Sequence, residues 1–278
     1  MLYVGVRVRK QGDRRYAVSM AKTLWGVAKK PLAVGGMLTA QMVQTVQRPD
    51  LESFTDQDPS GVFGASDLPP LRMIVLGDST VTAPGVEPLD ACWARRTALY
   101  FSDRYRVELI SLAVGGSKIA DVRGEQMHQA IVTGGDIAIV CVGGNDALRG
   151  TPINRFEAAF DETIRSLVAA FPAVAVCGVG DLGTIPRLPA MARGIARVRA
   201  RSVDHAIGRV TDRYTVPKTR AWGPEFEAFE TDPNIWAGDL FHASAEGHAL
   251  YADAAIPLVE EALRRSDFAP SGSGESSQ

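Results

Sequence analysis

The sequence predicts an α/β protein, a three-layer α/β/α sandwich on a mainly parallel sheet. Three observations predict it. Short runs of unbroken apolar residues recur along the chain, as expected of strands covered on both faces. Longer stretches with apolar residues at helical spacing separate them. Three polar, glycine-bearing motifs, at Gly77–Thr80, Gly115–Ser117 and Gly143–Asp146, each follow directly on an apolar run. Loops beyond the carboxyl ends of parallel strands are where such sheets gather ligands.

The strands are expected at Leu71–Leu76, Val107–Ala113, Ile137–Val142 and Val174–Val179, with a weaker candidate near Tyr214–Val216. Helical patterns lie between them, at about Ala91–Tyr100, Ile119–Thr133, Asn154–Phe171 and Pro189–Val210. A last helix spans Ala245–Arg264, with Ser244 as its N-cap. This alternation is that of a flavodoxin-like sheet. The domain is expected over residues 71–264, and no repeat of fixed period interrupts it.

Outside that body the composition changes. Residues 1–49 read as a basic, amphipathic helical extension, with Val34, Leu38 and Met42 forming an apolar stripe. The uncharged run Leu32–Val46 falls short of the roughly 20 residues a spanning helix needs. A signal peptide would need a start at Met20, and no clear cleavage site follows. Packing on the α/β body and lying on a membrane surface are both readings of this arm. Residues 50–70, rich in Asp, Ser, Gly and Pro, read as a linker, and residues 265–278 as a disordered tail.

Charge and cysteine content narrow the function classes. Residues 1–50 carry nine Lys and Arg against Asp13 and Asp50, while the chain as a whole has a net charge of −2. Positive charge confined to an arm on an acidic body is a poor nucleic-acid footprint and suits an anionic lipid surface better. The expected location is therefore the cytoplasm or the membrane periphery, with secretion left open. Cys92, Cys141 and Cys177 give an odd count without metal-ligand spacing, so a disulfide framework is not expected. No H-E-x-x-H, Walker or dinucleotide pattern occurs, and no metal or organic cofactor is implied.

The chemistry rests on a few side chains. Ser79, in Gly77-Asp78-Ser79-Thr80, sits in a strand-to-helix turn. A lone Ser in such a turn is usually a cap, and its hydroxyl is a weak nucleophile until a base removes its proton. Of the four histidines, His128 and His205 fall in polar helices and His248 lies one turn inside the last helix. His242 instead lies in a loop just before that helix, with Asp239 three residues earlier. That spacing lets Asp239 hold one ring nitrogen while the other faces Ser79, the division of labour in a catalytic triad. Gly115-Gly116 and Gly143-Gly144-Asn145-Asp146 could supply oxyanion donors, through exposed backbone N–H groups and a neutral side-chain amide. Taken singly, each has a plain alternative as a tight turn or helix cap. The G-x-S-x-G nucleophile elbow is absent around Ser79.

The segments IVLGDST (74–80), LAVGGSKIADV (112–122), VGGNDAL (142–148) and GDLFHAS (238–244) resemble the four blocks of the SGNH, or GDSL-like, hydrolases. The likeness covers about residues 71–264 and is nearest to the actinobacterial lysophospholipase-like type. It implies a serine esterase or lipase with Ser79 as nucleophile and Asp239 and His242 completing the triad. It also implies an oxyanion hole from the Ser79 and Gly116 backbone N–H groups and the Asn145 side chain. Thr80 stands where the family signature has Leu, and Ala243 where His-Pro-Ser has Pro. The implied partner is an ester or lipid small molecule, with Leu182, Ile185, Leu188, Trp222, Phe226 and Trp236 expected around its acyl group. Acyl transfer or thioester cleavage at the same site, and a non-catalytic flavodoxin-like anion-binding module, are the alternatives.

Overall fold

In a computed structural model, residues 50–266 are described. The expected helical arm over 1–49, and all of the expected tail beyond Ser266, lie outside the described residues. Five strands form one sheet: β1 (Gly61–Phe63), β2 (Pro70–Gly77), β3 (Arg106–Ser111), β4 (Ile137–Cys141) and β5 (Ala173–Val176). Their order is β1-β3-β2-β4-β5, with β1 antiparallel at the edge and the other neighbours parallel. This is the mainly parallel sheet that the apolar runs predict.

The sheet is covered on both faces because its strands are apolar on both. Leu71, Met73 and Val75 of β2 pack with Trp93 and Phe101 of α2 (Trp93–Phe101) and with Leu258 and Val259 of α9 (Ala245–Arg265). Ile74 and Leu76, pointing the other way in the same strand, join a second core. There they meet α3 (Ile119–Asp121), α4 (Met127–Thr133), α6 (Ile153–Ala170) and α7 (Ala190–Tyr214). In α6 the buried residues are Phe156, Ala159, Phe160, Thr163, Ile164 and Leu167, the stripe of one helix face. Ser244 caps α9 as the sequence indicates, its Oγ accepting from the Glu246 and Gly247 amides at 3.2 and 3.3 Å.

Four local expectations need correction. The segment read as a linker, 50–70, contributes β1, whose Gly61, Val62 and Phe63 pair with Leu109, Glu108 and Val107. Three residues that pair through backbone atoms are too few to leave a periodic trace in sequence. The strand near Tyr214–Val216 is displaced, since α7 runs on to Tyr214 and ends at Thr215 with φ 56°. The chain then meets β5 only through Val176 and Lys218. The helix expected over Ile119–Thr133 is broken by a π-helical turn at Val122–Gln126. Finally, α9 extends to Arg265, one residue into the expected tail.

Two short helices complete the frame at the carboxyl ends of the strands. α1 (Ser79–Thr82) follows β2, and α5 (Gly144–Leu148) follows β4. A further short helix, α8 (Ala228–Thr231), lies in the long connection before α9. Gly77 faces Cys141 across the β2–β4 ladder, and the Val114 amide donates to the Gly77 carbonyl at 3.3 Å. The polar motifs after β2, β3 and β4 are thereby neighbours in space.

Candidate active site

Ser79 opens α1, separated from the end of β2 by Asp78 alone. The turn requires glycine at position 77, where a Cβ would lie 2.2 Å from the Cys141 carbonyl oxygen. Asp78 caps α1, its Oδ1 accepting from the Thr80 amide at 3.0 Å. This places Ser79 at the first position of the helix, half-buried, at the wall of a cavity of about 330 Å³. Trp93 steadies the turn from behind by donating from Nε1 to the Thr80 carbonyl at 2.7 Å.

His242 reaches the same cavity from the loop before α9. Asp239 organises that loop. Its Oδ1 accepts from the Phe241 and His242 amides, both at 2.9 Å, and its Oδ2 lies 2.6 Å from His242 Nδ1. A carboxylate at Nδ1 fixes the tautomer that carries its proton there, leaving Nε2 as the basic nitrogen. Burial by itself would raise the Asp239 carboxyl. The hydrogen bonds from the His242 ring and from the two amides outweigh it and hold the carboxyl below its ordinary range. Leu240, between the two residues, takes φ 57°, the left-handed conformation this tight loop imposes. No hydrogen bond joins Ser79 Oγ to the His242 ring in this structure, although both side chains line the same cavity.

Asn145, in α5, lines the cavity with Ser79 and His242. Its Nδ2 donates to Asp78 Oδ2 at 3.2 Å, leaving a second amide proton for a ligand. Burial raises the Asp78 carboxyl, and hydrogen bonds from Thr80 and Asn145 oppose it. Gly116, with φ 77°, stands in the turn after β3 rather than among the residues lining the cavity. Its carbonyl accepts from Arg149 Nη1 at 3.1 Å. Of the remaining histidines, His128 and His205 are exposed on helices, while His248 lines the cavity. His248 is buried, its Nδ1 accepting from the Trp93 amide at 3.2 Å.

The cavity is lined by Leu182, Ile185, Trp222, Phe226 and Trp236, five of the six residues expected there, together with Asp181, Glu227 and Glu230. Leu188, the sixth, packs behind them with Ile185 and Ala196. The indoles are anchored, Trp222 to the Val179 carbonyl at 2.9 Å and Trp236 to the Phe229 carbonyl at 3.3 Å. Sequence reasoning gave no role to Gln126, which is buried and pairs with both backbone groups of Gly77 at 2.8 and 2.9 Å. Its signal was a polar residue on the buried stripe of Val122, Gln126 and Ala130. Asp56 was missed as well, because it lies in the segment read as a linker.

The mainly parallel α/β/α sandwich thus carries polar loops at its strand ends beside a cavity. The GDSL-like lipase/acylhydrolase family matches residues 75–250, and the chain belongs to that family, within the SGNH superfamily. No curated protein matches the chain. Among solved structures, an α/β hydrolase from the metagenome of Lake Arreo, Spain, is similar over 71% of this chain and 97% of its own, with 16% identity and TM-score 0.54. A lipolytic G-D-S-L family protein from Veillonella parvula is similar over 67% and 96%, with 16% identity and TM-score 0.55. An acetylxylan esterase from Geobacillus stearothermophilus is similar over 74% and 97%, with 13% identity and TM-score 0.53. At these identities the likeness is one of fold.

Proposed function

We propose that the protein is a serine esterase cleaving carboxylic esters that carry an apolar acyl group. Ser79 attacks the ester carbonyl while His242, held by Asp239, takes the hydroxyl proton on Nε2. The Ser79 and Gly116 N–H groups and the Asn145 amide stabilise the tetrahedral oxyanion. His242 then returns the proton to the leaving alcohol, and water releases the acyl group from Ser79 by the same sequence. The observation that carries this reading is the 2.6 Å contact between Asp239 and His242 at the edge of a cavity that Ser79 also lines.

The substrate side rests on the aromatic wall. Trp222, Phe226, Phe229 and Trp236 offer an acyl chain apolar surface, with Asp181, Glu227 and Glu230 lining the same cavity. A lipid or an acylated small molecule fits the aromatic surface through its acyl group. A fluorophosphonate probe tests the mechanism. Labelling should fall on Ser79 and be lost in both Ser79→Ala and His242→Ala proteins. Labelling that survives His242→Ala would sink the assignment of the base. The membrane-facing role expected of residues 1–49 remains a proposal; among the described residues, no helix is long and apolar enough to cross a membrane.

A further inference from the structure

Asp56 lies upstream of the family match, yet it touches two parts of the candidate site. Its Oδ2 accepts from the Gly115 amide at 2.8 Å, and its Oδ1 accepts from Thr82 Oγ1 at 2.7 Å. Thr82 is the last residue of α1, whose first residue is Ser79. The next residue reinforces the attachment. The Gln57 amide donates to the Thr82 carbonyl at 3.0 Å, and its side chain donates to the Ala83 and Val86 carbonyls at 2.6 and 3.1 Å. The carboxylate approaches the turn so closely that a Cβ on Gly115 would lie 2.1 Å from Asp56 Oδ1.

We propose that Asp56 is a positioning residue that ties the Gly115–Gly116 turn to the helix carrying Ser79 and so sets the direction of the Gly116 N–H. This rests on the oxyanion hole proposed above. A Gly-Gly pair has no side chain to restrict its backbone, so its peptide planes must be held from outside. Asp56 holds the Gly115 amide on one side, and Arg149 holds the Gly116 carbonyl on the other. The peptide between these two fixed points carries the Gly116 N–H. Its orientation relative to Ser79 is then set by Asp56, which grips both elements with one carboxylate. An oxyanion donor works through its geometry in the transition state, so loosening it should lower turnover more than substrate affinity.

The test compares Asp56→Ala, Asp56→Asn and Thr82→Val with the wild-type full chain on a short-chain p-nitrophenyl ester, well below each protein's Tm. Asp56→Ala should lower kcat about tenfold or more with KM within about twofold. Asp56→Asn should keep at least half of the wild-type kcat, because its amide can accept from Gly115 N–H and donate to Thr82 Oγ1. Thr82→Val, which removes one arm only, should fall between them and serves if Asp56→Ala does not fold. A role confined to stability would lower Tm while leaving kcat below the transition unchanged. Full kcat in Asp56→Ala or Thr82→Val, or a loss in Asp56→Asn as deep as in Asp56→Ala, overturns the tether. Fluorophosphonate labelling of Ser79 is measured separately on the wild type, so a failed tether and a failed triad give different results.

Discussion

Asp78 and Asn145, 67 residues apart in sequence, are joined by a 3.2 Å hydrogen bond from the Asn145 amide to Asp78 Oδ2. The residue immediately before the proposed nucleophile thereby aims the side chain proposed to receive the oxyanion. Asn145→Ala should lower kcat by about 10²–10³ with little change in KM. Asp78→Asn can accept the same bond only if its own amide turns correctly, so a smaller loss is expected. Steady-state kinetics on one activated ester distinguish the two, and an unchanged kcat in Asn145→Ala would remove Asn145 from the oxyanion hole.

Asp239→Asn replaces the carboxylate that fixes the His242 tautomer. The asparagine can present an N–H to Nδ1 and force the proton onto Nε2, where it blocks base catalysis. Turnover should drop by about 10³–10⁴ while the fold is retained. Circular dichroism and the rate of an activated ester, measured on one sample, check both halves of this expectation.

The aromatic wall predicts a dependence on chain length. Trp222→Ala removes apolar surface from the cavity and should reduce kcat/KM for an octanoyl ester about tenfold relative to an acetyl ester. A uniform loss across chain lengths would show that Trp222 supports the loop and does not contact the acyl group.

Burial lowers the His248 imidazole to about 3, helped by the nearby His242 and Arg96 charges. A folded-state value below that of the unfolded imidazole means that the unfolded chain binds more protons between the two. The stability His248 contributes is complete above about pH 6.5 and declines as pH falls toward about 3, at no more than about 1.4 kcal/mol per pH unit. Asp78 and Asp146, whose carboxyls burial raises, act in the opposite direction. Denaturant midpoints from pH 7 to 4 should therefore fall less steeply in His248→Gln than in the wild type. Equal slopes would show that another group controls the acid loss.

Gln126→Leu leaves the Gly77 N–H without its acceptor inside the core. A loss of about 1–3 kcal/mol is expected from that buried donor, read as a lower denaturant midpoint. Activity should fall with it, because Gly77 precedes the Ser79 turn by a single residue.

Much of the fold was legible because its signals are local. The run Leu71–Leu76 is apolar at every position except Arg72, and only a strand buried on both faces places such residues well. The α6 stripe from Phe156 to Leu167 repeats at the period of one helix face. The candidate site was legible for a related reason: Ser79, Asn145, Asp239 and His242 each sit in a short motif at the end of a strand or before a helix. What failed was local in a different sense. Gly61–Phe63 joins the sheet by backbone pairing and buries only Phe63, and the turn-forming residues around it read as a linker. The π-helical turn at Val122–Gln126 leaves hydrophobic spacing almost unchanged, so periodicity did not reveal it.

By itself, the sequence determined four of the five strands, the long helices and their alternation, and the chemical groups carried at the ends of the strands. Those follow from side-chain periodicity and turn chemistry within a few residues. The tertiary structure alone decided the order β1-β3-β2-β4-β5, which sets three loops side by side, and the contacts of Asp56 with Gly115, Asn145 with Asp78, and Gln126 with Gly77. Each of these joins residues 49 to 67 positions apart. Their pairing depends on strand order and side-chain direction in the packed core, for which a stretch of chain carries no periodic trace.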